Sequence, residues 1–159
     1  MLLRRDRALL AVDIALDVAF HAGRGAGEPT GAGEIAERLG AARRGIEPIL
    51  QALTRAGLLD STRGPRGGYR LARAPRDLHL SELVEAVVDG TGPGGSAADG
   101  GADEASPSPL HARVAAPLWA ELEEGVRERL AALTLDDLLR RAAAAGLRRP
   151  AQEPIDFAI

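Results

Sequence analysis

The run Arg63-Gly64-Pro65-Arg66-Gly67-Gly68-Tyr69-Arg70-Leu71 constrains the fold of this chain more than any other stretch. Leu58-Leu59-Asp60-Ser61-Thr62 before it and Gly68-Tyr69-Arg70-Leu71-Ala72 at its end read as short strands, so the residues between must reverse the chain. Pro65 sets φ at the tip, and Gly64 and Gly67-Gly68 are expected to take positive φ and to let the backbone approach a neighbour closely. Alternation puts Tyr69 and Leu71 on one face of the hairpin and Arg70 on the other. Arg63, Arg66, Arg70 and Arg73 gather guanidinium groups on or beside this turn, and a planar guanidinium fork suits phosphate oxygens and base edges. Taken alone, the turn reads equally as a solvated surface hairpin.

What precedes the turn is helical. Residues 6–22 carry Leu9, Val12, Ala15, Leu16, Ala19 and Phe20 at helical spacing, which predicts a buried first helix. A glycine-rich loop follows to Gly31. Thr30 or Gly31 can cap a short helix holding Ile35, Ala36 and Leu39, and Gly40 ends it as a left-handed C-cap. A second helix carries Ile46, Ile49, Leu50 and Leu53 and stops at Gly57. Two short helices joined by a tight turn make a helix-turn-helix, and the hairpin that follows makes it winged. Pro48 falls inside the second helix, where it removes a hydrogen bond and presses on the Arg44 carbonyl; the helix therefore starts near Gly45 or bends there.

Beyond the hairpin, Leu78 and Leu80 return to the core and Ser81 caps a helix bearing Leu83, Val84, Val87 and Val88. Residues 89–109 are rich in Gly, Ala, Ser, Pro and Asp, the composition of a flexible loop. Pro117 then suits the first turn of a long helix. Its Trp119, Leu122, Val126, Leu130 and Leu133 approach a coiled-coil seam, which predicts a dimerisation element, with packing back onto its own domain as the alternative. Thr134 and Asp137 can cap a last helix, Leu135 to Ala145, closed by Gly146. The expected fold is mainly α with a small β-hairpin wing. The expected division is a winged helix-turn-helix DNA-binding domain over 1–88, a flexible loop over 89–109, dimerisation helices over 110–146 and a C-terminal tail over 147–159.

A net charge of −3 at first argues against a polyanionic partner, yet residues 1–76 sum to +5 and residues 77–159 to −8. Between Arg43 and Arg76 only Glu47 and Asp60 oppose eight arginines. A local field of that sign attracts phosphate whatever the overall charge.

The runs Glu34-Ile35-Ala36-Glu37-Arg38-Leu39-Gly40 and Ile46-Glu47-Pro48-Ile49-Leu50-Gln51-Ala52-Leu53, with the Arg63–Leu71 wing, resemble the IscR/NsrR/CymR-type family of bacterial winged helix-turn-helix transcriptional regulators. Leu118-Trp119 and Leu133-Thr134-Leu135-Asp136-Asp137-Leu138 resemble its dimerisation helix and the end of that helix. The resemblance implies a homodimeric repressor on a partly palindromic double-stranded DNA operator, with a helix from each subunit in the major groove and each wing in a minor groove. By position it implies that Arg43, Arg44 and Glu47 lie on the recognition helix and that Arg63 enters the minor groove, with Gly64 beside it among the DNA-binding residues; Arg66, Arg70 and Arg73 suit phosphate contact. A narrow minor groove attracts arginine, and Arg or Glu can read guanine or cytosine edges, so the chemistry agrees. Gly45 stands where many members carry a bulky residue. Iron–sulfur members have three cysteines in the loop matching 89–109, and this chain has none.

No cofactor and no metal site is therefore expected. His111 lies near a non-cysteine cluster ligand of some members, but His21 and His79 give no chelating spacing with it, and Asp99, Asp103 and Glu104 read as a solvated acidic loop. No phosphate-binding glycine loop, zinc-type His-Glu-x-x-His or nucleophilic serine turn occurs, so no catalytic residue is assigned and no enzyme is expected. No apolar run reaches the ~20 residues of a membrane span, and the first residues lack a signal-peptide core; the expectation is cytoplasmic. An unknown effector or protein partner is left open, as is a winged-helix interaction module with little specific DNA binding.

Overall fold

Helix α1 (Arg5–His21) is the post around which the rest of the chain packs. It meets α2 (Ala32–Arg38), α3 (Arg43–Arg55), strand β2 (Gly68–Leu71), α4 (Leu80–Val88) and α6 (Leu135–Ala144). Its buried face is Ala8, Ala11, Ile14, Ala15, Val18 and Ala19, so small that neighbouring elements can approach its backbone. Leu9, expected on that face, is instead 53% exposed. The computed structural model describes residues 5–22, 28–88 and 108–150. Most of the expected loop at 89–109, most of the loop before Gly31, and the tail from 151 lie outside the described residues.

The core is aliphatic, as a chain with 3% aromatic residues requires. Ile35 of α2, Ile46, Ile49, Leu50 and Leu53 of α3, Leu83 and Val87 of α4 and Leu135 of α6 close around α1. Gly31 stands at the N-cap of α2, and Glu34 Oε2 accepts from its N–H at 3.3 Å. Gly40 (φ 61°) and Gly57 (φ 70°) end the two helix runs in the left-handed conformation that L side chains disfavour. A forked ion pair fixes the angle of α2 on α1. Arg38 donates through Nε (2.9 Å) and Nη2 (2.7 Å) to the buried Asp17 carboxylate, and the hydrogen bond to Asp17 holds the guanidinium pKa above its ordinary value.

Helix α3 begins at Arg43, ahead of the Gly45 start, and carries Pro48 within it. The proline ring is exposed and displaces nothing from the buried Ile46–Ile49–Leu50–Leu53 face. Strand β1 (Leu59–Thr62) pairs antiparallel with β2 in the register Leu59↔Leu71, Asp60↔Arg70, Ser61↔Tyr69, Thr62↔Gly68. A third line joins this ladder at Thr30, whose N–H donates to Tyr69 O (2.9 Å) and whose carbonyl accepts from Tyr69 N–H (2.8 Å). Of the hairpin glycines only Gly64 has positive φ (115°). Gly67 and Gly68 are needed for space instead: a Cβ at Gly67 would lie 2.3 Å from Thr62 O, and one at Gly68 2.4 Å from Thr30 O.

The chain re-enters the domain through a second bridge. Leu80 N–H donates to Leu133 O and Leu135 N–H to Leu78 O, each at 2.9 Å, while His79 Nδ1 donates to Ala131 O at 2.8 Å. Helix α4 starts at Leu80, so Ser81 sits inside the first turn rather than capping it; Glu82 instead accepts from His79 N–H at 3.0 Å and from Arg73 Nη2 at 2.6 Å. Burial alone would raise the Glu82 carboxyl, but the Arg73 and His79 hydrogen bonds outweigh it and hold its pKa below the ordinary value. Helix α5 (Ala116–Ala131) is preceded by a π-helical turn, His111–Ala115, closed by Ala116 N–H on His111 O. Pro117 has no N–H to offer the Arg113 carbonyl, and the widened turn beside it accommodates the ring. Thr134 caps α6, with Asp137 reaching back to Thr134 N–H at 2.9 Å.

Candidate nucleic-acid interface

Helix α3 buries one face and exposes the other. At 3.6 residues per turn Arg44, Glu47, Pro48, Gln51 and Arg55 fall on one stripe, opposite the buried isoleucines and leucines. That stripe begins at the turn after Gly40 and ends beside the hairpin. The hairpin supplies the second element, with its tip residues Arg63, Gly64, Pro65 and Arg66 all exposed. Gly64 makes the bend at φ 115°, and Gly67 N–H closes it on Gly64 O at 2.9 Å, so Arg63 and Arg66 stand on a stiff turn.

Ion pairing sorts the arginines of this region into two kinds. Arg43 Nε bonds Glu47 Oε1 at 3.0 Å along α3, Arg70 faces Asp60 at 3.5 Å across the ladder, Arg73 holds Glu82, and Arg76 lies 3.8 Å from Asp77. Arg44, Arg55, Arg63 and Arg66 have no carboxylate partner among the described residues. The expected DNA-binding set thus divides. Arg44, Arg63 and Arg66 are free to meet an anion, Arg43 and Glu47 hold one another, and Arg70 is shared with Asp60 on the hairpin face away from Tyr69. Exposed pairs of this kind are worth at most about 1 kcal/mol, so a stronger anion or base edge can replace either partner. Gln51 and Arg55 were not singled out in the sequence, although their spacing from Arg44 and Glu47 continues the same stripe.

Helix α5 has no buried residue. Leu118 (54% exposed), Trp119 (44%), Leu122 (53%) and Val126 (41%) crowd its outer side, and Leu110 and Val114 extend the apolar surface upstream. Leu130 and Leu133, the end of the expected seam, are half-buried and pack against the domain core. The seam therefore runs from solvent at Trp119 into the domain at Leu133.

An iron–sulfur cluster does not fit the donors present. The chain has no cysteine, and among the described residues no three His, Asp or Glu side chains converge to hold a metal ion. His111 lies exposed in the π-helical turn. No helix among the described residues is long and apolar enough to cross a membrane.

The profile of the Rrf2 family, described as an iron-dependent transcriptional regulator, matches residues 9–141. The transcriptional regulator IscR of Xenorhabdus nematophila is 33% identical over 133 residues, covering 82% of this chain and 74% of the relative. The protein rrf2 of Nitratidesulfovibrio vulgaris is 29% identical over 139 residues, covering 86% and 87%. Among solved structures, IscR of T. potens superposes with a TM-score of 0.64 at 29% identity over 92% of this chain and 90% of that one. CymR, the global cysteine regulator of B. subtilis, superposes with a TM-score of 0.63 at 25% identity over 89% and 98%. The chain belongs to the Rrf2 family: it is a winged helix-turn-helix, DNA-binding transcriptional regulator and not an enzyme.

Proposed function

We propose that this regulator works as a homodimeric repressor on a partly palindromic operator, and does so without an iron–sulfur cluster. The observation that carries the reading is the set of unpartnered arginines, Arg44 on the exposed stripe of α3 and Arg63 and Arg66 on the stiff wing tip. Free guanidinium groups on a helix that fits a major groove and on a turn narrow enough for a minor groove supply both base readout and phosphate contact. Glu47, released from Arg43, can accept from cytosine N4, and Arg63 suits the negative potential of a narrow minor groove. The exposed apolar side of α5 supports pairing of two chains, and a two-fold protein reads a two-fold site.

The test is selection of genomic fragments by the purified protein beside an Arg63→Ala control. Enrichment of a palindrome that vanishes with Arg63→Ala is the expected outcome. A folded dimer that enriches nothing above the control refutes the regulator-on-operator reading and favours a winged-helix interaction module.

A further inference from the structure

Between the recognition stripe of α3 and the inner face of the wing lies an open groove of about 270 Å³, lined by Gln51, Thr54, Arg55, Ser61 and Tyr69. Resting on the regulator reading above, we infer that this groove holds a backbone phosphodiester of the bound duplex, with Arg55 as its cation and Gln51, Ser61 and Tyr69 as neutral donors.

The argument has three parts. The first is chemical. Among the described residues the side chains of Gln51, Ser61 and Tyr69 make no hydrogen bond, and Arg55 uses only its Nε, on Gln51 O at 3.4 Å. The Thr54 hydroxyl donates to Leu50 O at 2.8 Å, so it shapes the wall and leaves the donation to its neighbours. An amide, two hydroxyls and a free guanidinium fork thus face one space that no carboxylate lines, a donor set that suits an oxyanion. Asp60, the nearest acid in sequence to Ser61, belongs to the opposite face of the ladder, where it meets Arg70. The second part is size: about 270 Å³, open to solvent, falls just below the range of ordinary small-molecule pockets and suits one phosphate group with its waters. The third is the geometry of the duplex. One sugar–phosphate strand separates every major groove from the adjoining minor groove. A protein with α3 in the first and the Arg63–Gly64 tip in the second must pass that strand between them, which is where the groove lies.

This contact carries no base identity; it fixes the angle between helix and wing on the duplex, so that Arg44 and Arg63 meet their base steps in register.

The test uses the full chain and three probes: a duplex recovered in the genomic selection, a scrambled duplex of the same composition, and inorganic phosphate. Arg55→Gln, at an exposed position, is expected to leave the melting temperature unchanged. It should weaken both duplexes by a similar factor, on the order of 10-fold or more at low salt, and reduce the slope of log affinity against log salt by about 2 per dimer. Replacing single phosphates by neutral methylphosphonates should reveal one position per half-site, between the α3 contact and the wing contact, that matters to the wild type and not to Arg55→Gln. Tyr69→Phe should weaken both duplexes with the salt slope intact. Inorganic phosphate should show no saturable binding to the DNA-free protein. An Arg55→Gln slope parallel to the wild type overturns the inference, as does a change confined to the selected duplex, which would make Arg55 a base reader. Saturable inorganic phosphate binding at Arg55 with unchanged duplex affinity overturns it in favour of a free anionic effector. A wild-type protein that prefers no selected duplex removes the regulator reading, and this contact falls with it.

Discussion

Gly68→Ala should destabilise this protein far more than a single methyl group ordinarily does. Gly68 has no positive φ, so the substitution strains no backbone dihedral. The obstacle is Thr30: the new Cβ would lie 2.4 Å from its carbonyl oxygen, 2.5 Å from its carbonyl carbon and 2.9 Å from Gly31 N. These are backbone atoms and cannot rotate away, so the strand must move. Movement breaks the pair of bonds between Thr30 and Tyr69, at 2.9 and 2.8 Å. Each is worth about 0.5–1.5 kcal/mol net, and overpacking adds about 1–3 kcal/mol. A loss of roughly 2–6 kcal/mol follows, which for a chain of this length lowers Tm by on the order of 10 °C. Urea denaturation and calorimetry on Gly68→Ala and on Gly45→Ala provide the comparison. Gly45 lies in α3 with no positive φ, and a methyl group there would meet no atom within 4 Å, so its replacement should stabilise by about 1 kcal/mol through helix propensity. If Gly68→Ala stays within about 0.5 kcal/mol of the wild type, the steric argument for the paired glycines is wrong.

Asp17→Ala should lower stability by about 1–3 kcal/mol in chemical denaturation, because it strips the forked acceptor from Arg38. The cost stays below that of a fully buried pair since Arg38 remains 30% exposed, and it should persist in 1 M salt because Asp17 is only 6% exposed. Val126→Glu, on the exposed side of α5, should leave the fold intact by circular dichroism and give the mass of one chain by light scattering; a dimer that survives would place the interface elsewhere. In acid, Asp137 has a folded pKa held low by the Thr134 N–H and hydroxyl, so the stabilisation is complete above about pH 4–5 and is lost as pH falls through the folded value. Asp137→Asn should flatten the decline of Tm over that window, and a decline as steep as the wild type's would remove Asp137 as a cause.

Local patterns made much of the fold legible. Gly40 and Gly57 announced their helix ends, Ile46 through Leu53 announced the buried side of α3, and the strand alternation correctly divided Tyr69 and Leu71 from Arg70. What stayed hidden depends on approach in space. Asp17 and Arg38 lie 21 residues apart, and nothing in either neighbourhood reveals that they fork together. Thr30 reads as a cap candidate, yet it lengthens the wing ladder, and that contact converts Gly67-Gly68 from a question of φ into one of room. Leu9 fits the helical period but falls just past the edge of the packed face, because the alanines beside it set a narrower contact than the period suggests. On α3 the resemblance marked Arg44 and Glu47, and helical spacing from them reaches Gln51 and Arg55, whose place beside the hairpin only the packed structure supplies.

The bridge that joins Leu78 and Leu80 to Leu133 and Leu135 is a pair of main-chain hydrogen bonds with the His79 ring on Ala131 O beside them. Leu118, Trp119, Leu122 and Val126 lie exposed beyond this joint, so the outer side of α5 can change with the bridge's hydrogen bonds kept. The joint is also a pivot. Helix α5 extends for 16 residues, about 24 Å, from that point, and a tilt of about 5° displaces its far end by about 2 Å. In the proposed dimer, a tilt of that size would change the spacing between the two winged domains by angle alone.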